Sequence, residues 1–414
     1  MCIMIVSDSP DMNSGYSRII TNLGPELQKL GYNIAISGIQ TALPNQHYKD
    51  IKVYQLLNDF NKVNVPEMDN RLTQNIKTHK SDVVLCLFQG DSKYNPFTQH
   101  KNTVWYIPIE GHIIYKSSPI FRDARKVHKV VSMTHCAGKQ LTRQGINNTT
   151  IYLGHDSAIY KKGFNNELDE TVPVYFPETN DEFSVPANEL LDMKENMGIE
   201  CMFGFVGQNF GVKKRIERLI EAFSIFAKDK TDVHLHLHCH PEGKKVLFSD
   251  SKKILVTYNG LNLFEIIDYY NIRNKITFSY GEVTSSGWSE SALSNLYNIF
   301  DVYASASSGE GFGLPHLESM ACGVPQLAPD GDPFPEFFGV DDEKCGLLAK
   351  CTRQLTSAGE ERALVDVKDL AEKMEIIYAQ DDFRRMLGSN AQKWASEYTW
   401  SRCAAQFDKV FRSM

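Results

Sequence analysis

Two glutamates flank a short glycine-rich stretch in the segment SSGEGFGLPHLESMACGVP, which covers residues 307–325. Glu310 precedes the two glycines, and Glu318 follows a proline that suits the first turn of a helix. We therefore expect Glu310 in a loop and Glu318 in the first turns of a helix, so that the two carboxylates do not share one helical face. Taken alone, two glutamates at this spacing occur by chance in many proteins.

The chemistry of this segment favours a ligand that carries phosphate. A glycine loop that leads into a helix presents free backbone N–H groups and the positive end of the helix dipole, and glycine lets a ligand approach the backbone closely. A carboxylate in the helix can accept hydrogen bonds from the vicinal hydroxyls of a ribose, and one in the loop can face the reacting sugar. A nucleotide diphosphate sugar combines these groups. The residues predicted to bind such a ligand are Gly311, Phe312, Gly313, Leu314 and Glu318.

An alternation of apolar strands and helices predicts the elements that position this loop. The N-terminal sequence reads as strand CIMIVSD, a glycine-bearing loop, helix IITNLGPELQKLGY and strand NIAISGI, which is a βαβ opening. A second series of the same kind starts at CMFGFVG. Because 414 residues exceed one ordinary core, we expect an α/β protein with two similar halves and mostly parallel sheets.

The composition of the connecting segments sets the predicted domain limits. We expect an N-terminal domain over 1–190, in which 164–190 form an irregular connection rich in Pro, Asn, Asp and Glu. A C-terminal domain covers 191–392. Aromatic residues spaced along 393–414 predict a helix that covers apolar surface.

Charge and cysteine content exclude several classes of protein. A formal net charge of -7 and a pI near 6.0 argue against a nucleic-acid partner. The N-terminal apolar run is too short to span a bilayer and lacks the features of a secretory signal. Nine cysteines without a C-x-x-C pair suit a reducing compartment. We expect a soluble, cytoplasmic protein with at most peripheral membrane contact; the oligomeric state stays open.

The segment EGFGLPHLESMACGVP resembles the donor-site motif of the retaining family 4 glycosyltransferases, written E-G-F-G-x-P-x-x-E followed by A-M-A-x-G-x-P, with Ser319 where alanine is common. The segments YLGHDSAIY, FVGQNFGVKKRIERLIEAF and SEYTWSRCAAQFDKVF are also similar to that family, so the resemblance covers nearly the whole chain. It implies a GT-B fold, in which two Rossmann-like domains face each other across a cleft and the C-terminal helix crosses back to the first. It further suggests a virus-encoded member of the family, of chloroviral origin.

The same resemblance implies transfer of a hexose from a nucleotide diphosphate sugar to a hydroxyl of a glycan or glycoconjugate. It assigns the diphosphate-binding lysine to Lys214, with Lys213 as the nearest alternative, whereas Gln208 stands where the family often has an arginine. The loss of that guanidinium removes a bidentate clamp. Glu310 is expected to orient the donor sugar and to stabilise positive charge, not to act as a nucleophile.

In the first domain the resemblance implies contacts near two strand ends. Gly15 occupies the second position of a loop that commonly reads Gly-Gly in the family, and Ser14 holds the first. His112 is the expected sugar contact and catalytic residue, with a loop-anchoring role as the alternative. Further candidate contacts to the acceptor or sugar are Tyr16, Arg18 and Glu110.

Four histidines in HLHLHCH, residues 234–240, raise the alternative of a zinc site. Same-face neighbours on one strand lie about 6–7 Å apart, so four cannot converge on one ion unaided. We expect a structural strand, no metal and no cofactor.

The identity of the donor and two alternative functions stay open. The expected donor is GDP-mannose or a UDP-hexose, and no residue in the sequence distinguishes between them. A sugar-nucleotide epimerase and a catalytically silent nucleotide-sugar-binding protein are the alternative functions.

Overall fold

The structure is a computed structural model that describes residues 1–12, 14–39, 47–56, 65–89, 100–211, 213–248, 254–258, 260–280 and 288–414. Its strands, in chain order, are β1 (Cys2–Asp8), β2 (Asn33–Ile39), β3 (His47–Tyr48), β4 (Ile51–Gln55), β5 (Val83–Cys86), β6 (Thr103–Ile107), β7 (His112–Ile113), β8 (Lys129–Ser132), β9 (Asn148–Thr150), β10 (Thr171–Phe176), β11 (Asp181–Pro186), β12 (Cys201–Val206), β13 (Val233–His238), β14 (Lys244–Phe248), β15 (Ile254–Tyr258), β16 (Ile276–Ser279), β17 (Val302–Ala304), β18 (Gln326–Pro329), β19 (Gly346–Ala349), β20 (Cys351–Leu355) and β21 (Glu360–Val365). Its helices are α1 (Gly15–Lys29), α2 (Val65–His79), α3 (Pro119–Ala124), α4 (His135–Arg143), α5 (Leu190–Asn196), α6 (Ile216–Phe226), α7 (Leu263–Tyr269), α8 (Glu290–Ile299), α9 (Leu314–Ala321), α10 (Val367–Ala379), α11 (Asp381–Ser396) and α12 (Trp400–Arg412).

The first sheet has eight strands in the order β3-β4-β2-β1-β5-β6-β8-β9 and is parallel except for the β3–β4 pair. Its central strands are buried on both faces, which explains why they read as continuous apolar runs. The parallel pairing of β1 with β2 across α1 confirms the predicted βαβ opening. We refer to β1–β9 with α1–α4 as the first half.

The second sheet also has eight strands, in the order β11-β10-β16-β13-β12-β17-β18-β19. The six strands from β16 to β19 in this order pair in parallel, and β10 and β11 add antiparallel strands at one edge. We refer to β10–β21 with α5–α11 as the second half. Carboxyl ends of parallel strands meet at one edge of a sheet, where α/β proteins bind ligands.

The prediction of an irregular connection over 164–190 is wrong for residues 171–186. These residues form the hairpin of β10 and β11, and β10 pairs with β16 in the second sheet. Val172 and Val174 point into the core, but Pro173 interrupts a short pattern that therefore did not read as a strand. Pro173 lies on β10, the second strand from the sheet edge, and precedes Val174 and Tyr175, the two residues of β10 that pair with β16.

The last helix packs on the first half. In α12, Phe407 contacts Tyr106 with ring centroids 4.9 Å apart, and Phe411 contacts Tyr32 at 5.6 Å. The Tyr32 hydroxyl also donates to Asp408 at 2.7 Å. The preceding helix α11 packs against α9 of the second half. Among the described residues, no helix combines the length and the apolar character needed to cross a bilayer.

A small three-stranded sheet, in the order β20-β21-β7, links the two halves. Strands β20 and β21 form a hairpin of the second half, and β21 pairs in antiparallel fashion with β7 of the first. Glu361 lies opposite His112 in this pairing. Backbone hydrogen bonds therefore join the halves directly beside one of the predicted site residues.

Candidate active site

The glycine loop, residues 307–313, connects β17 to α9 at the carboxyl edge of the second sheet. Gly313 is the N-cap of α9 and has a φ of 102°, a left-handed conformation that favours glycine. The first N–H groups of a helix have no intrahelical acceptor, so those at the start of α9 can bind an anion. Glu310 lies in the loop and Glu318 in the helix, as expected from the sequence.

Two loop residues anchor this segment against its surroundings. Phe312 is buried, and its ring contacts Tyr152 and Phe337 with centroids 5.6 and 5.0 Å apart. Gly311 faces the segment that follows β6, where an added Cβ would lie 2.5 Å from the Cβ of Pro108. The two halves therefore approach each other here more closely than any side chain at position 311 would allow.

An ion pair joins the loop to the basic turn before α6. Lys214 Nζ donates to Glu310 Oε1 at 2.5 Å, and the Ser307 hydroxyl donates to the same oxygen at 2.7 Å. The Ser308 amide donates to the Lys213 carbonyl at 2.9 Å and so fixes the turn against the loop. Burial alone would raise the pKa of Glu310, but the charges of Lys214 and Lys213 outweigh it and lower this pKa to about 2. Glu310 is therefore an ionised carboxylate at neutral pH.

Glu110 of the first half lies between two cations of the second half. Its Oε1 accepts from Lys213 Nζ at 2.5 Å, and its Oε2 lies 3.4 Å from both terminal nitrogens of Arg362. Glu110 lies between β6 and β7, whereas Arg362 lies on β21. The sequence identified Glu110 and Lys213 as candidates but gave no sign that they meet. Arg362 was missed because no motif surrounds it.

A second ion pair across the halves involves Glu318. Its Oε1 accepts from Arg18 Nη1 at 2.8 Å, and its Oε2 accepts from the Tyr297 hydroxyl at 2.8 Å. Arg18 Nη1 also donates to the Tyr160 hydroxyl at 3.0 Å, and its Nε lies 3.5 Å from Glu290. Two residues that were predicted as separate ligand contacts, Arg18 and Glu318, thus contact each other. Glu318 is only 2% exposed, so this pair is shielded from water.

The Ser14 hydroxyl caps the start of α1, and the space beside Gly15 is open. The Ser14 hydroxyl accepts from the Ser17 amide at 3.0 Å and donates to Asp8 at 2.6 Å, which fixes the loop. Within the described part of the chain, no atom outside its own neighbours lies within 4 Å of a Cβ added at Gly15. Tyr16, by contrast, packs against the hydrophobic core.

His112 lies in a short strand instead of an open loop. It pairs with Glu361 in the small sheet. The flanking backbone is held by Gln140, whose Nε2 donates to the Gly111 carbonyl and whose Oε1 accepts from the Ile113 amide, both at 2.9 Å. This arrangement fixes the backbone of His112 at the boundary between the halves.

Gln208 follows the end of β12 at the same edge as the glycine loop. Its amide is uncharged, so it cannot replace the arginine of the family pattern as a cation. The structure brings the cations of Lys213, Lys214 and Arg362 to this edge.

The histidine strand β13 forms a hydrogen-bonded ladder with two hydroxyls of β16. Thr277 Oγ1 lies 3.1 Å from His234 Nε2 and 2.9 Å from His236 Nδ1, and Ser279 Oγ lies 2.7 Å from His236 Nε2 and 2.9 Å from His238 Nδ1. Burial lowers the pKa of His234 and of His238 to about 3, and it lowers the pKa of His236 well below its ordinary value. In the residues that the structure covers, no group of three or more His, Cys, Asp or Glu side chains could hold a metal ion.

A cavity of 460 Å³ lies at the opposite, amino end of β13. Its lining includes Lys228, Lys230 and Lys275, and the Lys275 amine donates to the carbonyls of Ala227 and Lys230. Ligands of α/β sheets bind at the carboxyl ends of the strands, so this cavity is not the candidate site.

Comparisons with solved structures agree with this geometry. Sucrose-phosphate synthase from Thermosynechococcus elongatus superimposes with a TM-score of 0.70 at 16% identity, over 100% of this chain and 98% of that one. The fold is GT-B. The structure of Anabaena HepE in complex with UDP and glucose is similar too, with a TM-score of 0.66 at 15% identity over 100% and 99% of the two chains. The predicted fold class is therefore confirmed.

The match to a family model lies in the second half. Residues 200–394 match the family model described as "Glycosyl transferases group 1". The MMP alpha-(1->4)-mannosyltransferase of Mycolicibacterium hassiacum is 33% identical over 129 residues, which are 31% of this chain and 28% of that one. The chain covers about a quarter of the length of the curated relatives it matches. The glycine loop, residues 307–313, lies within the residues that this family model matches.

Proposed function

We propose that the protein is a retaining glycosyltransferase of family 4 that transfers a hexose from a nucleotide diphosphate sugar to a hydroxyl of a glycan or glycoconjugate. The observation that carries this proposal is the Lys214–Glu310 pair, held beside a glycine loop that opens a helix at the carboxyl edge of the second sheet. The group 1 match over 200–394 and the mannosyltransferase relatives support it.

In the proposed site the donor diphosphate lies against the amides at the start of α9 and against Lys214. Fixed N–H groups and an ammonium stabilise the negative charge that develops on the leaving diphosphate, and such preorganised groups contribute most where charge appears in the transition state. Lys213 is the second ammonium at this position. No bound metal is part of the proposal.

Glu310 has the proposed role of orienting the donor sugar. Because its pKa is held near 2, its negative charge persists at neutral pH and can stabilise positive charge at the anomeric carbon. The bond between this carbon and the diphosphate oxygen breaks, and the acceptor oxygen bonds to the same face of the sugar. The acceptor proton passes to the leaving phosphate oxygen, and no covalent bond to Glu310 forms.

The proposal divides the substrates between the two domains. The nucleotide binds mainly the domain predicted over 191–392, and the acceptor binds mainly the domain over 1–190, with His112 as a sugar contact. The close approach of Gly311 to Pro108 supports chemistry at the boundary, because closure excludes water from a reactive donor. The nine cysteines are free thiols, which suits the cytoplasmic location that we propose.

The proposed ribose contact has to coexist with the ion pair of Glu318. A carboxylate offers about four lone-pair directions, and Arg18 and Tyr297 use two of them. The ribose hydroxyls would bind the remaining ones. Gln208 in place of an arginine, and Ser14 in place of the first loop glycine, favour a catalytically silent nucleotide-sugar-binding protein as the second candidate.

Calorimetric titration with GDP, UDP and their sugars, followed by assays of diphosphate release with and without an acceptor panel, tests the proposal. We expect one base to bind, and we expect release to rise with an acceptor. Conversion of the donor sugar without any acceptor would favour an epimerase, and binding without turnover would favour the silent protein. No binding by any nucleotide would overturn the proposal.

The proposed ribose contact is tested by Glu318→Gln. This variant should lose the preference for ribonucleoside over 2′-deoxyribonucleoside diphosphates, whereas Glu178→Gln, at an exposed position, should keep it.

A further inference from the structure

Arg362 lies beside the glycine loop although it is distant from it in the sequence. It belongs to β21, and the amide of the next residue, Ala363, donates to the Ser308 carbonyl at 2.9 Å. Its side chain is 15% exposed, so the guanidinium is largely withdrawn from water. The hairpin of β20 and β21 therefore delivers a partly buried cation to the edge of the candidate site.

The partner that Arg362 shares with Lys213 comes from the other half of the molecule. Glu110 occupies the position between both cations, at 2.5 Å from Lys213 and 3.4 Å from Arg362. If the halves separate, the two cations stay together on the second half and lose this carboxylate. Two neighbouring cations of low exposure repel each other and favour an anion between them.

A second carboxylate keeps Arg362 oriented. Glu360, on the same strand, accepts from Arg362 Nη2 at 2.7 Å. Burial alone would lower the pKa of Arg362, but the charges of Glu110 and Glu360 outweigh it and raise this pKa. Because Glu360 moves with Arg362, the guanidinium keeps its place when Glu110 leaves.

We propose that Arg362, together with Lys213, binds the diphosphate of the donor, and that Glu110 is an internal anion which the diphosphate displaces. This inference rests on the proposed function. Phosphate and carboxylate oxygens are both acceptors for a guanidinium fork, which binds two of them at once. Arg362 thereby supplies a guanidinium that can donate two hydrogen bonds to the diphosphate. Gln208, which follows β12, carries no charge and cannot supply such a cation.

The test compares nucleoside mono- and diphosphates by calorimetry on the intact chain, with the base that the wild type binds. Arg362→Gln should weaken diphosphate binding about tenfold or more, because hydrogen bonds to charged groups are lost, and should leave the monophosphate affinity within about twofold. Arg353→Gln is the matched control: Arg353 lies on the same hairpin, is 70% exposed and pairs with Glu361. Glu110→Gln should strengthen diphosphate binding, because the competing charge is removed.

The deciding quantity is the ratio of the affinity for the nucleoside diphosphate to the affinity for the monophosphate. If Arg362→Gln keeps the wild-type ratio, or if Glu110→Gln weakens diphosphate binding, the inference is wrong while the proposed function stands. If the wild type binds no nucleotide, both the inference about Arg362 and the proposed function are wrong. Should Arg362→Gln fail to fold, Arg362→Lys keeps the charge without the fork, and an unchanged ratio in that variant would equally overturn the bidentate role.

Discussion

Arg18 Nη1 and Glu318 Oε1 lie 2.8 Å apart and join α1 of the first half to α9 of the second. Glu318 is buried, so removing it would leave a guanidinium with little access to water. The loss of one partner of such a pair costs more than the pair itself contributes. This contact connects the stability of the molecule to the predicted ribose site.

Glu318→Gln should therefore lower the free energy of unfolding by about 3 kcal/mol. The double variant Arg18→Met/Glu318→Gln should recover part of that loss, because both charges of this pair are then removed together. Urea denaturation of the two variants and the wild type measures both effects. A single variant as stable as the wild type would show that the pair is not formed in solution.

Glu310→Gln should have an effect on stability that depends on pH. The folded pKa of Glu310, about 2, lies below its ordinary value of 4.5. The ionised form therefore stabilises the fold fully above pH 4.5, and this contribution is lost as the pH falls toward 2. We expect Glu310→Gln to cost on the order of 3 kcal/mol at neutral pH and progressively less in acid. Equal costs across that pH range, in denaturation experiments with Glu178→Gln as control, would contradict the assignment.

Gly15→Ala separates stability from function at the start of α1. The added methyl group meets open space, and alanine is the better helix former, so the free energy of unfolding should stay within about 0.5 kcal/mol or rise. If the backbone at Gly15 contacts a substrate, turnover should nevertheless fall about tenfold. Unchanged turnover would remove Gly15 from the site. Gly311→Ala serves as comparison, since its methyl group would clash with Pro108.

The histidine ladder predicts loss of stability in acid. Since burial lowers the folded pKa of His234 to about 3 and lowers that of His236 as well, the unfolded state binds more protons below about pH 6.5. Between that pH and the folded pKa of each histidine, stability should fall by about 1 kcal/mol per histidine for each pH unit. His236→Gln should flatten this dependence, and His128→Gln, at an exposed position, should not. An identical pH profile for both variants would contradict the ladder.

The parts of the fold that the sequence predicted are those with strong local patterns. Continuous apolar strands such as β1 and β12, and the glycine-to-proline signal before α9, specify their structure locally. The hairpin over 171–186 was missed because its stability comes from pairing with β16, which no local pattern reveals.

The contacts across the cleft were equally hidden. Glu110 and Lys213 were named as candidates, and so were Arg18 and Glu318, but each pair is far apart in sequence and meets only because of how the halves pack. Arg362 stands in an exposed-looking polar hairpin, and its role depends on β21 pairing with β7. Residue type and spacing predicted the chemistry, whereas the partners follow from tertiary structure.

The most direct test of the proposed transferase is acceptor-dependent release of nucleoside diphosphate from its sugar donor, measured for the wild type and Glu310→Gln. We predict release by the wild type that increases with acceptor, and a rate about 100-fold lower in Glu310→Gln. The calorimetric donor affinity of this variant should stay within about threefold of the wild type. Equal release rates for the two proteins, or a donor that binds neither, would contradict the central role of the Lys214–Glu310 pair.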